Sequence, residues 1–238
     1  MTNFATDKDV KKRDLYRERC KAMKKIADAL GLPFYEVDCN FDSFLQLGDR
    51  CSYFALYSCA FALERALGKY YISSSLSYRE ILKWHNNSHN RDWSEFADSY
   101  AIPLMASKGL KLISDGCQYS RSEKTELISD WEIAQKYLYV CSGKKSTVNC
   151  CECTKCRRTL LPLDAMGKLD KFSAVFDIEK YRKNEKDFKN RLVLANGREV
   201  FATDNYEYCK RKGMELPSWL EARTATIPKA ISNRLKKK

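Results

Sequence analysis

Four cysteines, Cys141, Cys150, Cys153 and Cys156, follow a C-x8-C-x2-C-x2-C spacing. A loop that brings four thiols so close in sequence can close around one tetrahedral ion, and this constrains the fold of the chain more than any other feature. Zinc takes four thiolates at about 2.3 Å each, and a shell closed by four cysteines has no open position for substrate, so the spacing reads as a structural zinc site. The intervening loop from Ser142 to Asn149 contains Gly143, Lys144 and Lys145. It is flexible enough to close, and its cations lower thiol pKa values. The C-x2-C-x2-C run also begins iron–sulfur binding sequences, so a cluster is the alternative to zinc, and uncoordinated thiols are the third reading. Cys151 is a fifth thiol within the loop and leaves the ligand register open.

The chain has 238 residues, enough for one sizeable domain or a domain with an appended tail. Its eleven cysteines are odd in number and concentrated in one cluster, with no signal-peptide pattern before them. That composition fits a reducing cytoplasm and argues against a disulfide-stapled secreted scaffold. The longest apolar stretch, Tyr53 to Leu63, is interrupted by Ser58 and falls short of the ~20 residues a membrane span needs. The net charge of +12 favours polyanions such as nucleic acid or nucleotide phosphates. Much of the excess, however, lies on solvated faces such as Lys11 to Arg19 and in the terminal run Arg234 to Lys238.

The apolar spacing of Leu15, Cys20, Met23, Ile26 and Leu30 predicts a helix from about Asp7 to Leu30, stopped by Gly31 and Pro33. Phe34 to Cys39 reads as a short buried strand, Ser52 to Leu67 as a helix ending at Gly68, and Tyr70 to Ser74 as a second strand. Tyr78 to Trp84 reads as a short helix and Lys111 to Ser114 as a third strand, closed by Asp115-Gly116. Alternation at this spacing predicts crossover units and a parallel sheet, with ligands at the carboxyl ends of strands near Asp38, Asn40 and Ser73-Ser74-Ser75. His85 and His89 are four apart in a polar loop, a pattern that reads as surface more readily than as a metal site. Ser120 has Glu123 in the capping-box position of a helix whose first turn carries Arg121 and Lys124. Two cations at a helix start oppose its dipole, so they suit either a bound phosphate or a plain solvated turn. Beyond the cysteines, Thr154 to Met166 is helical and stops at Gly167. From Ile178 onward a charged helical pattern is anchored by Tyr181, Phe188, Leu192 and Leu194, turns at Asn196-Gly197, and continues as a helix around Thr203 to Lys212, with Pro217 and Pro228 bracketing a last segment. Tyr70, Tyr71, Phe172 and Phe176 sit in apolar patterns that suit a core.

The helix–strand alternation, the Ser-Arg-Ser-Glu-Lys start at Ser120 to Lys124 and the four-cysteine loop together resemble the PP-loop ATP pyrophosphatase superfamily. Within it the chain is most similar to the 7-cyano-7-deazaguanine synthase family, whose zinc loop has the same spacing. The likeness covers about Met1 to Lys168, whereas the Leu-Pro-Leu-Asp-Ala-Met-Gly run and the charged tail differ from synthase features. The resemblance implies a partial parallel sheet of the adenine nucleotide alpha-hydrolase (HUP, Rossmann-like) type over 1–138, a zinc loop and helix over 139–170, and a charged helical extension over 171–238. It also implies ATP and magnesium chemistry, in which a substrate oxygen is adenylated, pyrophosphate leaves, and ammonia or sulfur displaces AMP, giving amidation, nitrile formation or thiolation. The family's Ser-Gly-Gly-x-Asp-Ser phosphate loop has no counterpart, since no Gly-Gly pair occurs. Met1-Thr2-Asn3-Phe4 looks like the end of the family's second strand, so the first strand and its loop are expected from a longer polypeptide or from a second subunit.

These readings give a zinc-bearing C-terminal portion of a PP-loop enzyme, incompetent alone and covered by self-association or a partner, with Ser73, Ser75, Arg121 and Lys124 near nucleotide or substrate. The alternative is a non-enzymatic zinc module that binds RNA or DNA through Arg157, Arg158 and the lysine tail, or that serves as a scaffold.

Overall fold

A computed structural model describes residues 10–37, 52–84, 93–141 and 147–226. The chain divides into two units, Met1–Ser120 and Arg121–Lys238. It is mixed α/β and mostly helical. The expected 139–170 zinc segment is not separate: its cysteines share one core with residues on both sides of it, from Ala134 to Cys209.

In the first unit, helix α1 spans Val10–Ala29. Gly31 ends it at φ +65°, where the Leu32 N–H reaches Ala27 O at 2.9 Å and the Gly31 N–H reaches Asp28 O at 3.1 Å. This is a Schellman closure, which needs a residue free to adopt the left-handed region. The stripe Leu15, Cys20, Met23 and Ile26 is only half-buried and Leu30 is exposed. The expected strand at Phe34 is not formed: residues 32–37 are irregular, and Tyr35 is 82% exposed. A strand exists through hydrogen bonds to a neighbour, and residues 32–37 take part in no strand pairing. Cys39, Asp38, Asn40 and Asp7 lie outside the described residues.

Helix α2 covers Ser52–Ala62, shorter than expected. The chain tightens into i+3 bonds from Leu63 to Ala60 O and from Glu64 to Phe61 O, each 3.1 Å. Strand β1, Lys69–Ser73, then pairs in parallel with β2, Lys111–Asp115, with Tyr71 opposite Ile113. The connection between them runs through α3, Tyr78–Trp84, and α4, Trp93–Leu104, as a parallel pair requires. Helix α4 was not anticipated. Its sequence signal is Asp92 followed by Glu95, a capping pattern, and Pro103 lies near its end. Tyr57 and Ala60 of α2, Ile102 of α4, and Leu110 and Leu112 form the core of this unit. Tyr71 alternates to the other face and is 59% exposed, not buried as expected.

The second unit is built from α5 (Arg121–Leu127), α6 (Glu132–Tyr137), α7 (Thr154–Ala165), a 3-10 turn (Leu169–Phe172), α8 (Ile178–Ala195) and α9 (Val200–Arg211), with a last helical segment over 219–226. Helix α7 is the central element. Cys156, Leu160, Leu161, Pro162 and Leu163 are all buried, and α5, α8 and α9 pack on it. Gly167 at φ +67° stops it, with the Lys168 N–H on Leu163 O at 2.9 Å. Pro162 has no N–H, so it leaves the Arg158 carbonyl without its helical donor. Asn205 of α9 supplies one at 3.2 Å.

Candidate metal centre

Each of the four cysteines reaches the cluster by a different local route. Cys141 ends the extended stretch after α6 and is 7% exposed; Cys156 lies in the first turn of α7 and is fully buried; Cys150 and Cys153 sit half-buried on the turn between them. Their sulfurs all lie within 4.8 Å of one another, with Cys141 to Cys153 at 3.9 Å, Cys150 to Cys156 at 3.9 Å and Cys153 to Cys156 at 3.5 Å. An ion bonded to four sulfurs at about 2.3 Å in a tetrahedron sets them about 3.8 Å apart, so the four cysteines are placed to hold one metal ion.

The backbone is arranged to receive negative sulfurs. The Cys153 N–H points at Cys150 Sγ (3.3 Å), and the Cys156 N–H at Cys153 Sγ (3.4 Å), so Cys153 is at once a candidate ligand and the N-cap of α7. Thiolates near a helix start gain from its dipole. Burial, and then the neighbouring Cys153, push the Cys156 thiol well above the usual range. Without a cation the buried group stays protonated; a metal ion reverses this balance and deprotonates the ligand outright.

The geometry settles the place of Cys151. It adopts φ +58°, is fully buried, and accepts the Asp177 N–H on its sulfur at 3.2 Å. It stands outside the group of four and joins the turn to the start of α8, which Asp177 caps through Lys180 N at 2.9 Å.

Asn149 was not singled out from sequence, yet it organises the centre. Its buried Oδ1 accepts from Val140 N (3.0 Å) and Cys141 N (3.2 Å), while Nδ2 donates to Leu138 O (2.8 Å) and Val175 O (3.0 Å). One side chain therefore fixes Cys141 relative to the knuckle. Its only sequence signal was an amide immediately before Cys150.

Asp164 and Asp204 are further polar anchors. Asp164, in the Leu-Pro-Leu-Asp run, accepts from Tyr181 Oη and pairs with Arg182, each at 2.8 Å. Asp204 accepts both the backbone N–H (2.9 Å) and the hydroxyl (2.7 Å) of Ser122. The start of α5 thus meets a carboxylate from α9. Arg121 lies over Phe201, 4.7 Å from the ring centroid, and Glu123 faces Arg211 at 3.8 Å. Lys124 lies half-buried on the same short helix.

Ser73 and Ser75 belong to the other unit. Ser73 ends β1 exposed, whereas Ser74, Ser75 and Ser77 are buried. Ser77 and Glu80 form a reciprocal cap of α3, with the Ser77 N–H and Oγ each 2.7 Å from Glu80 Oε2. At the end of β2, Cys117 Sγ lies 3.2 Å from both Ser99 Oγ and Ser114 Oγ. Burial pushes this thiol up, but hydrogen bonds from Ser114, Ser99, Ser74 and Tyr78 outweigh it and leave the thiol below its ordinary range. The expected site thus splits between the units, with Ser73 and Ser75 in one and Arg121 and Lys124 in the other. His85 and His89, the lysine-bearing loop 142–146 and the terminal Arg234 to Lys238 lie outside the described residues. No described helix is long and apolar enough to cross a membrane.

Comparison with protein-family models, with curated proteins and with solved structures found no match.

Proposed function

We propose that the four cysteines hold one structural zinc ion and that the chain is the zinc-bearing portion of an ATP-dependent enzyme of the PP-loop type, with a sheet of the adenine nucleotide alpha-hydrolase kind that is incomplete by itself. The observation that carries this reading is the parallel β1–β2 pair with hydroxyl-lined carboxyl ends, followed along the chain by a closed four-cysteine knuckle. Carboxyl ends of parallel strands are where such sheets take ligands. Four thiolates leave zinc no open position, so the ion holds the fold and takes no part in the reaction.

In this reading ATP, with magnesium, meets the hydroxyls of Ser73 and Ser75 at the carboxyl end of β1. A longer polypeptide or a companion chain supplies the phosphate loop, and a companion or a second copy covers the face of the sheet that carries Tyr71. Parallel sheets are stable when both faces are covered, and a two-stranded one has little core of its own.

The test is ATP-dependent pyrophosphate release by the chain taken from its own cells with any companion retained. Release that depends on the companion and on substrate supports the reading. A companion-bearing complex that binds ATP but releases no pyrophosphate across candidate carboxylate and carbonyl substrates contradicts it.

A further inference from the structure

The second unit contains a cavity of about 520 Å3, within the range common for small-molecule sites. Its wall brings together four guanidinium groups: Arg157 and Arg158 from α7, Arg191 from α8, and Arg198 from the turn before α9. Two carboxylates, Asp187 and Glu199, face the same space, so cations exceed anions. Arg191 Nε already holds Asp187 at 2.6 Å.

Arg157 reaches Thr154 Oγ1 at 3.1 Å, while its Nε is buried without a hydrogen bond. Neither Arg157 nor Arg198 forms an ion pair among the described residues. A desolvated donor of this kind is costly unless an anion meets it. The fork of a guanidinium matches two oxygens of a phosphate. The rest of the wall is apolar, with Leu161, Phe188, Leu192 and Ala195, so the cleft has room for a flat, apolar-faced body beside the anion.

We propose that this cleft binds the phosphate ester of a nucleoside, presented either as a free nucleotide or at the end of a nucleic-acid strand. The site lies wholly within the second unit and does not rest on the ATP-dependent reading above.

The experiment is a calorimetric titration of the full chain with three probes: inorganic phosphate, adenosine 5′-monophosphate and a short 5′-phosphorylated single strand. It is repeated for Arg157→Gln, Arg198→Gln and, as an equal change of charge elsewhere on α8, Lys183→Gln. Metal content and thermal midpoint are checked for each variant. The mononucleotide or the strand is expected to bind, with affinity falling about tenfold for Arg157→Gln, several-fold for Arg198→Gln and less than about twofold for Lys183→Gln.

A mononucleotide that binds as tightly as the strand identifies a free nucleotide. A strand that binds more tightly, with a steeper fall in affinity as salt rises, identifies nucleic acid. Arg198→Gln is exposed at the cleft rim and keeps the test informative if Arg157→Gln fails to fold. Nucleotide binding that survives the cleft substitutions places the ligand elsewhere and overturns the proposal. So do equal losses in all three variants, inorganic phosphate binding as well as the nucleotide, or no binding by any probe.

Discussion

The two units solve the same problem of burying a small core with unequal means. The second has large side chains at or near full burial, among them Tyr181, Phe172, Leu160 and Leu163, and four sulfurs converging within that core. Its irregular segments are tied down by buried polar groups that are satisfied, such as Asn149 and Asn205. Among its described residues the first has a two-stranded sheet, a core cluster of five buried residues, and Tyr71, Leu82 and Leu104 exposed at 59%, 70% and 85%. A cross-link at a metal replaces apolar area that a small unit cannot bury, whereas a parallel pair without such a cross-link depends on what covers its other face. The contrast predicts that the second unit loses most when single polar or thiol groups are removed and that the first loses little.

The largest expected effect is at the ligands. On the zinc reading, Cys153→Ser removes one metal bond while leaving a serine, itself a favoured N-cap, at the start of α7, and should cost several kcal/mol in chemical denaturation, with loss of bound metal. Cys151→Gly, by contrast, should retain one metal per chain, because Cys151 lies outside the group of four and glycine accepts its positive φ. Equal metal loss in both variants would break the distinction between ligand and structural thiol.

Next is Asn149→Ala, which leaves two backbone N–H groups and two carbonyls near the centre without their partner. A loss of about 3 kcal/mol, with weakened metal retention against a chelator, is expected. A change below about 0.5 kcal/mol would show that the surrounding backbone does not need this side chain.

A smaller effect follows from acid. Lys212 hydrogen-bonds Glu126, and Lys168 and Lys171 hydrogen-bond Asp130, holding both carboxyls below their ordinary values of 4.5 and 3.8. Their folded pKa values are depressed, so their stabilisation is full above the unfolded values and is lost as pH falls through the folded ones. Stability of the second unit measured from pH 6 down to about pH 3 should therefore fall, and the fall should be shallower in Lys212→Gln. An identical profile in that variant would remove this pair from the account.

The smallest effect belongs to the first unit. Tyr71→Thr on the open face of β1 should alter the stability of the isolated chain by less than about 0.5 kcal/mol, as for other exposed positions. A loss of 2 kcal/mol would mean that this face is already covered.

Legibility in the sequence followed the range of the interactions. Helix α7, its stop at Gly167 and the β1–β2 pair rest on local spacing and are found where it put them, and the four cysteines singled out by their spacing do come together. The buried strand at Phe34 failed because alternating residues do not specify a pairing partner. Helix α4 was not anticipated, although Asp92 and Glu95 form a capping pattern at its start. The roles of Asn149, Asp204 and Asn205 depend on partners up to 83 residues away, as for Asn205 and Ser122, and no local pattern reports them. Cys151 illustrates the same limit, since spacing alone could not separate it from Cys150, whereas its left-handed φ and its bond to Asp177 do.

The central claim, that four thiolates in the second unit share one ion, is tested most directly by X-ray absorption at the metal edge of the purified full chain, with metal content measured on the same sample. The account predicts one zinc per chain surrounded by four sulfurs at about 2.3 Å. Nitrogen or oxygen scatterers in place of sulfur, or a metal-free chain whose four thiols all react freely, would contradict it.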